Sequence, residues 1–216
     1  MKTENEFSNI RFWRDWTLLS ASIILASYMV SLIVVLLVHG AFGFTQMEGG
    51  TPLSQTLMQV AGGAVIGLGT GLYQRALLKK IFPVSPSWIY FLIAGFVITE
   101  LAACLLLWQM GIERYKLRFI EMNPLPEALI FACAGLLTGI LQWTLLRRHF
   151  GRSWCWIPAS TLGWGICILT TCLQFIPVMR SSVLFLIAIF ALGAFLYGAV
   201  TGAALIWIKS GKRKDV

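Results

Sequence analysis

Glu100 is the residue whose type and position most directly suggest chemistry. It is the only acidic residue deep within an apolar run, 12 residues after Trp88 and 8 before Trp108. Along a helix rising about 1.5 Å per residue this is roughly 18 and 12 Å from the two ends, near the middle of a bilayer. An isolated charge at that depth costs about 2.5–3.5 kcal/mol on insertion scales and calls for a partner or a proton. Three roles fit it: a protonated carboxyl bonded within the bundle, for example to Gln174; a contact to a basic or polar group of another subunit; or a proton- or cation-coupling carboxylate on a permeation path. Gln74 and Gln142 come next. Each amide precedes a basic pair, Lys79–Lys80 or Arg147–Arg148. There it can bond between helices, at an average gain of about 0.6 kcal/mol, or contact a headgroup or small ligand.

The rest of the inventory is thin. His39 and His149 fall at opposite membrane faces, and neither H-E-x-x-H nor C-x-x-C occurs. Cys104, Cys133, Cys155, Cys167 and Cys172 lie in or beside apolar runs, where cysteine packs as a small hydrophobe. Glu113, Glu121 and Glu127 share a segment with Arg114, Lys116 and Arg118. Alternating charge there reads as a short solvated or headgroup-facing helix that Pro124 and Pro126 end. The expectation is a protein with no enzyme activity, no metal and no cofactor.

These residues must be positioned by membrane-spanning helices. Of 216 residues, 58% are hydrophobic and 12% charged, with nine Trp and 20 Gly; mean hydropathy is +0.79. A soluble chain carries about twice that charged fraction. Six apolar runs, 17–37, 57–78, 88–108, 128–146, 156–178 and 183–208, are each near the length of about 20 residues that a bilayer requires. The loops left over are too short for a catalytic domain. The first run is longer than a signal-peptide core and no A-x-A site ends it, so it reads as a retained anchor. Trp16, Trp88, Trp108, Trp156 and Trp207 fall near span ends, as in an aromatic belt.

The net charge of +8 would suit nucleic acid, but its placement does not require it. With a cytoplasmic N-terminus, 13 of the 17 basic residues fall inside and only Arg114, Lys116, Arg118 and Arg180 outside. That asymmetry is the positive-inside rule, with both termini cytoplasmic. Anionic lipid headgroups are a secondary contact.

Displacing the chain against itself by 68 positions aligns Ala64–Gln74 with Ala132–Gln142 and continues without a gap. Positions 62–105 share 17 identities in 44, an internal duplication. A weaker third copy begins at Gly198-Ala-Val-Thr-Gly202. The shared G-x-x-T-G lies in the second, fourth and sixth runs, which all cross in one direction. The repeats are therefore parallel: helix hairpins at about 17–80, 88–148 and 156–209 in one membrane domain, 1–216, arranged as a pseudo-threefold or a sequential six-helix bundle. Gly67, Gly71, Gly135, Gly139, Gly198 and Gly202 fall in G-x-x-x-G pairs that let helices approach closely in lipid. The residue aligned with Glu100 is Ile168, so the shared scaffold does not demand a carboxylate there. Glu100 also points away from the repeated Gly95, Ile98, Leu101 and Leu105.

G-x-x-T-G-x-x-Q, then Leu-Leu with a basic pair, then Trp-Ile about eight residues on, resembles a group of uncharacterised small bacterial multi-pass membrane proteins. Tryptophan-rich copies of this hairpin, with Gln-Trp after the second glycine, are expected there. Gln142-Trp143 and Leu145-Leu146-Arg147-Arg148 fit that form, and Tyr73-Gln74-Arg75 departs from it. The resemblance covers roughly positions 60–165 and implies an integral protein of the bacterial inner membrane without implying an activity. Two functions follow as expectations. The first is a non-catalytic, membrane-embedded accessory or assembly subunit that packs against another membrane protein; for the chain itself the expected partners are the lipid bilayer and a membrane-protein partner or, failing one, a homo-oligomer. The alternative is a small proton- or cation-coupled transporter or channel using Glu100.

Overall fold

A computed structural model describes residues 2–41, 52–111, 125–170, 173 and 183–211. Over these residues the fold is all-helical: α1 Lys2–Ala41, α2 Pro52–Leu78, α3 Ser87–Gln109, α4 Leu125–Leu146, α5 Trp156–Leu169 and α6 Val183–Ser210. A single 3₁₀ turn, Ser153–Cys155, leads into α5. Continuous apolar sequence favours helix because each backbone N–H and C=O is then satisfied within its own segment. Five of the helices are long and apolar enough to cross a membrane. α5 is apolar and has 14 described residues; positions 171, 172 and 174–178 of the run of 156–178 read from the sequence lie outside the described residues.

Each helix packs against its neighbours in sequence, and α6 returns to pack on α1, so the six close into a ring. The chain ends meet there. Trp13 Nε1 donates to the Ala199 carbonyl at 3.1 Å and Lys209 Nζ to Asn9 Oδ1 at 3.3 Å. Glycine permits the tightest crossings. A Cβ on Gly67 would lie 2.9 Å from Ile93 Cα, and one on Gly71 2.9 Å from Ile89 Cα; on Gly139 it would lie 3.1 Å from Ile157 Cα. A Cβ on Gly198 would lie 2.9 Å from Thr17 Cα of α1, and one on Gly202 would meet the Trp16 indole at 3.0 Å.

Polar and apolar faces are distributed as lipid would require. Leu36, Leu72, Leu106, Leu129, Leu162 and Leu192, one from each helix, are exposed on the outside, while Ser20, Thr70, Gln74, Thr138, Gln142 and Thr201 are buried. α3 shows why the repeated identities mislead about its packed side. Of the four, only Gly95 is buried, against Thr138 of α4; Ile98 (53% exposed), Leu101 and Leu105 face outward, and Glu100 lies on the buried side. Apolar residues suit a lipid-facing surface as well as a seam, so their repetition does not mark the interior.

Every Lys and Arg whose side chain is described, from Arg11 to Lys209, lies at the end of the ring where α1 begins and α6 stops. The segments holding Arg114, Lys116, Arg118, Glu113, Glu121, Arg180 and Gln174 lie outside the described residues, as does Cys172.

Candidate functional site

The interior of the ring at its basic end holds a hydrogen-bonded network drawn from five helices, centred on Gln74. α2 carries Gln74 four residues before its last residue, Leu78, and the short connection returns the chain so that Trp88, at the start of α3, faces it. Trp88 Nε1 donates to Gln74 Oε1 at 3.0 Å, and Gln74 Nε2 donates to the Tyr197 hydroxyl of α6 at 2.8 Å. The same local path recurs 68 residues later, where Trp156 Nε1 donates to Gln142 Oε1 at 2.8 Å. Gln142 Nε2 then reaches Gln74 Oε1 at 3.5 Å. The two repeated glutamines thus meet.

The ring's closing pair uses different groups in a similar place. Trp16 Nε1 of α1 donates to Thr201 Oγ1 of α6 at 3.0 Å, and the Thr201 hydroxyl donates to the Tyr197 carbonyl at 2.8 Å. Tyr73 donates to Ser20 Oγ at 2.8 Å, and Ser20 to the Trp16 carbonyl at 2.6 Å. The indoles also touch one another, with ring centroids of Trp16 and Trp156 6.4 Å apart and those of Trp88 and Trp156 5.7 Å apart. Deeper along the axis, Trp164 packs on Phe96 at 4.7 Å and on Tyr197 at 4.5 Å.

Placement of the tryptophans corrects the belt expectation. Trp16, Trp88 and Trp156 point inward and are fully buried; Trp108 and Trp207 are exposed at the surface. A buried indole N–H needs an acceptor, and Gln74, Gln142 and Thr201 supply three. The sequence signal was present as the shared spacing of 14 residues in the pairs Gln74–Trp88 and Gln142–Trp156. Tyr197 had none, since the repeat places no tyrosine elsewhere at that position.

Glu100 is 3% exposed and faces α2, where a Cβ on Gly63 would come within 3.1 Å of its Cγ. It is separate from the glutamine network, 12 residues beyond Trp88 on α3. Because it is covered by its own bundle, it offers no surface to another subunit. Glu127, expected beside a short solvated or headgroup-facing helix, is buried in the first turn of α4. A carboxylate suits the positive end of the helix dipole there. His149 lies at the basic end against Phe82, and His39 belongs to the far end of α1. Among the described residues, no three His, Cys, Asp or Glu side chains converge as metal ligands would.

Indole, amide, phenol and hydroxyl groups exchange hydrogen bonds without a charged group among them. What such an array can do is fix helix register and fill the axis. Trp16, Trp88, Trp156 and Gln74 are 0% exposed, with Gln142 and Tyr197 at 1%. A water-sized passage beside any of them would show as accessible surface, so the axis is sealed at this level. No protein-family model, curated protein or solved structure matches the chain.

Proposed function

We propose that this chain is a non-catalytic integral membrane protein that acts as an embedded accessory or assembly subunit in the bacterial inner membrane, with both termini cytoplasmic. The observation that carries the reading is the sealed axis: six side chains at 0–1% exposure occupy the place a conduction path would need. The grouping of all described cations at the end shared by both chain ends supports the orientation. The fold that serves this role is three parallel units, each joining a G-x-x-T-G helix to a tryptophan helix: α2 with α3, α4 with α5, and α6 with α1. Trp88–Gln74, Trp156–Gln142 and Trp16–Thr201 support that grouping, as do the close approaches at Gly71, Gly139 and Gly202. It is offset by one helix from the hairpins 17–80, 88–148 and 156–209 read from the sequence, and its third unit is built from the two chain ends.

Native mass spectrometry of the protein extracted in mild detergent from its source membrane tests the role. A stoichiometric protein partner is expected. A bare monomer or homo-oligomer would overturn the assembly reading and favour the competing one, a small proton- or cation-coupled transporter using Glu100. That alternative draws on the carboxyl buried at mid-depth in α3, and it requires a second conformation in which water reaches Glu100.

A further inference from the structure

We propose that the basic end of the bundle is a docking face for anionic phospholipid headgroups, whose phosphates are held by Lys79, Lys80, Arg147, Arg148 and Arg152. The inference rests on the chain being embedded in a bilayer, and not on the assembly role.

The positive-inside rule accounts for the number of these cations but not for their arrangement. After α2 and after α4 the chain makes the same turn. The amides of Lys79 and Phe82 bond to the carbonyls of Arg75 and Leu78, and those of Arg147 and Phe150 to the carbonyls of Trp143 and Leu146, all at 2.8–3.0 Å. The two turns are locked together, with Phe82 edge-on to Phe150 at 5.3 Å and against His149 at 5.4 Å. Two basic pairs are thereby displayed from one rigid platform. Helix dipoles favour cations at the ends of α2 and α4, but Arg152 lies before the 3₁₀ turn that starts α5, where that account does not apply.

None of the five has an ion-pair partner among the described residues. All are exposed, and among the described residues the only ion pair is Arg14 with Asp15. The Arg75 Nε, one turn inside Lys79, is buried without a hydrogen-bond partner among them. Two guanidiniums rest instead on indole faces. Arg147 lies over Trp143 and Arg152 over Trp207, both 5.1 Å from the ring centroid. A guanidinium held by its flat face keeps its N–H edge free for phosphate oxygens. Exposed Trp154 and Trp207, at 62% and 56%, lie beside Arg152, and indole rings favour headgroup depth. Cations and interfacial aromatics together fit a lipid headgroup better than a soluble anion.

The test is native mass spectrometry of the full chain in mild detergent, titrated with phosphatidylglycerol or phosphatidylcholine. An anionic surface is favoured by about fivefold per nearby cation, so phosphatidylglycerol should be retained at least about fivefold better. The Arg148→Gln/Arg152→Gln double variant should lose most of that preference while still folding, with a cooperative thermal transition, because both side chains are exposed and only the surface contact of Arg152 with Trp207 is lost. Arg11→Gln, on α1 outside the platform, should keep it. Equal retention of the two lipids would overturn the proposal while leaving membrane embedding intact; absence of any bound lipid would count against embedding itself. A preference that the double variant leaves undiminished, or that excess inorganic phosphate abolishes, would also overturn it.

Discussion

Gln142 donates its amide N–H to Oε1 of Gln74, 68 positions earlier, at 3.5 Å. Residues that are copies of each other in the duplicated sequence therefore face each other inside the folded ring. Leu205 stands at the corresponding place in the third G-x-x-T-G helix, so no third amide completes the set. Gln74 takes the larger share, accepting from Trp88 and Gln142 and donating to Tyr197. The network is asymmetric although its parts are repeated.

That asymmetry predicts unequal costs for the same substitution. Gln74→Leu strands the Trp88 indole and breaks the links to Tyr197 and Gln142, whereas Gln142→Leu strands the Trp156 indole and breaks only the link to Gln74. With each interhelical bond in lipid worth about 0.6 kcal/mol and at most about 1.7, Gln74→Leu should cost about 2 kcal/mol and Gln142→Leu about 1. Thermal unfolding in detergent, followed by tryptophan fluorescence, would measure both. Equal losses would mean that Gln74 is not the hub.

The repeated threonines should separate in the same assay. Thr201 accepts from Trp16 and donates to the Tyr197 carbonyl, so Thr201→Val leaves a buried indole N–H without an acceptor, at about 1–3 kcal/mol. Thr70 is equally buried, but its hydroxyl has no partner among the described residues. Removing an unsatisfied hydroxyl at constant shape is neutral or stabilising, and Thr70→Val should leave the transition unchanged or raised.

Helix positions were legible in the sequence because lipid leaves few alternatives: α3 spans Ser87–Gln109 against an apolar run of 88–108, and α6 spans Val183–Ser210 against 183–208. Facing was less legible. In water an apolar stripe marks the core, but on helices apolar enough to cross a membrane it need not, and Ile98, Leu101 and Leu105 lie on the outside. The polar residues carry the information instead, and Gln74 and Gln142 stood out for that reason. Trp16, Trp88 and Trp156 were hidden because an indole near a span end suits the headgroup layer as well as it suits a buried amide. Their acceptors are 14 residues before them in two cases and 185 residues away in the third, and only the ring closure of α6 on α1 brings the last pair together.

Glu100 separates the two functional readings. Its side chain is enclosed against Gly63, so Glu100→Gln keeps the shape and removes the ionisable group. Under the assembly reading the thermal transition stays within about 1 kcal/mol of wild type, in the range of a conservative change, and partner stoichiometry is unaltered. A proton-flux assay in proteoliposomes should show equal, background rates for both proteins. Flux in the wild type that Glu100→Gln abolishes would establish the transporter instead.

Glycine substitutions test whether close approach holds the ring. At Gly71 a methyl would meet Ile89 Cα at 2.9 Å, a backbone atom that cannot step aside without moving α3. Gly71→Ala should cost about 1–3 kcal/mol, as overpacking does, and Gly71→Leu should prevent a stable fold. Gly40 near the end of α1 has no atom within 4 Å of the added carbon. Gly40→Ala should therefore gain up to about 1 kcal/mol from helix propensity. Equal effects at the two sites would show that propensity, and not contact, governs both.

The pairing of α6 with α1 makes a topological prediction. If the third unit is assembled from the two chain ends, the connection between α1 and α2 joins separate units and is dispensable, while α6 and α1 would be joined directly in an uninterrupted chain. The ends are placed for this, since Lys209 Nζ lies 3.3 Å from Asn9 Oδ1. A circular permutant linking residue 211 to residue 9 through a short Gly/Ser segment, and opened within 42–51, keeps every α2–α3, α4–α5 and α6–α1 contact. It should reach the membrane and unfold near the wild-type temperature, because one short connection replaces another. Opening the chain within 83–86 instead, with the same link, cuts the α2–α3 unit beside Trp88 and should destabilise the fold. If the permutant opened at 83–86 proved the more stable of the two, the hairpins α1–α2, α3–α4 and α5–α6 would be the better units.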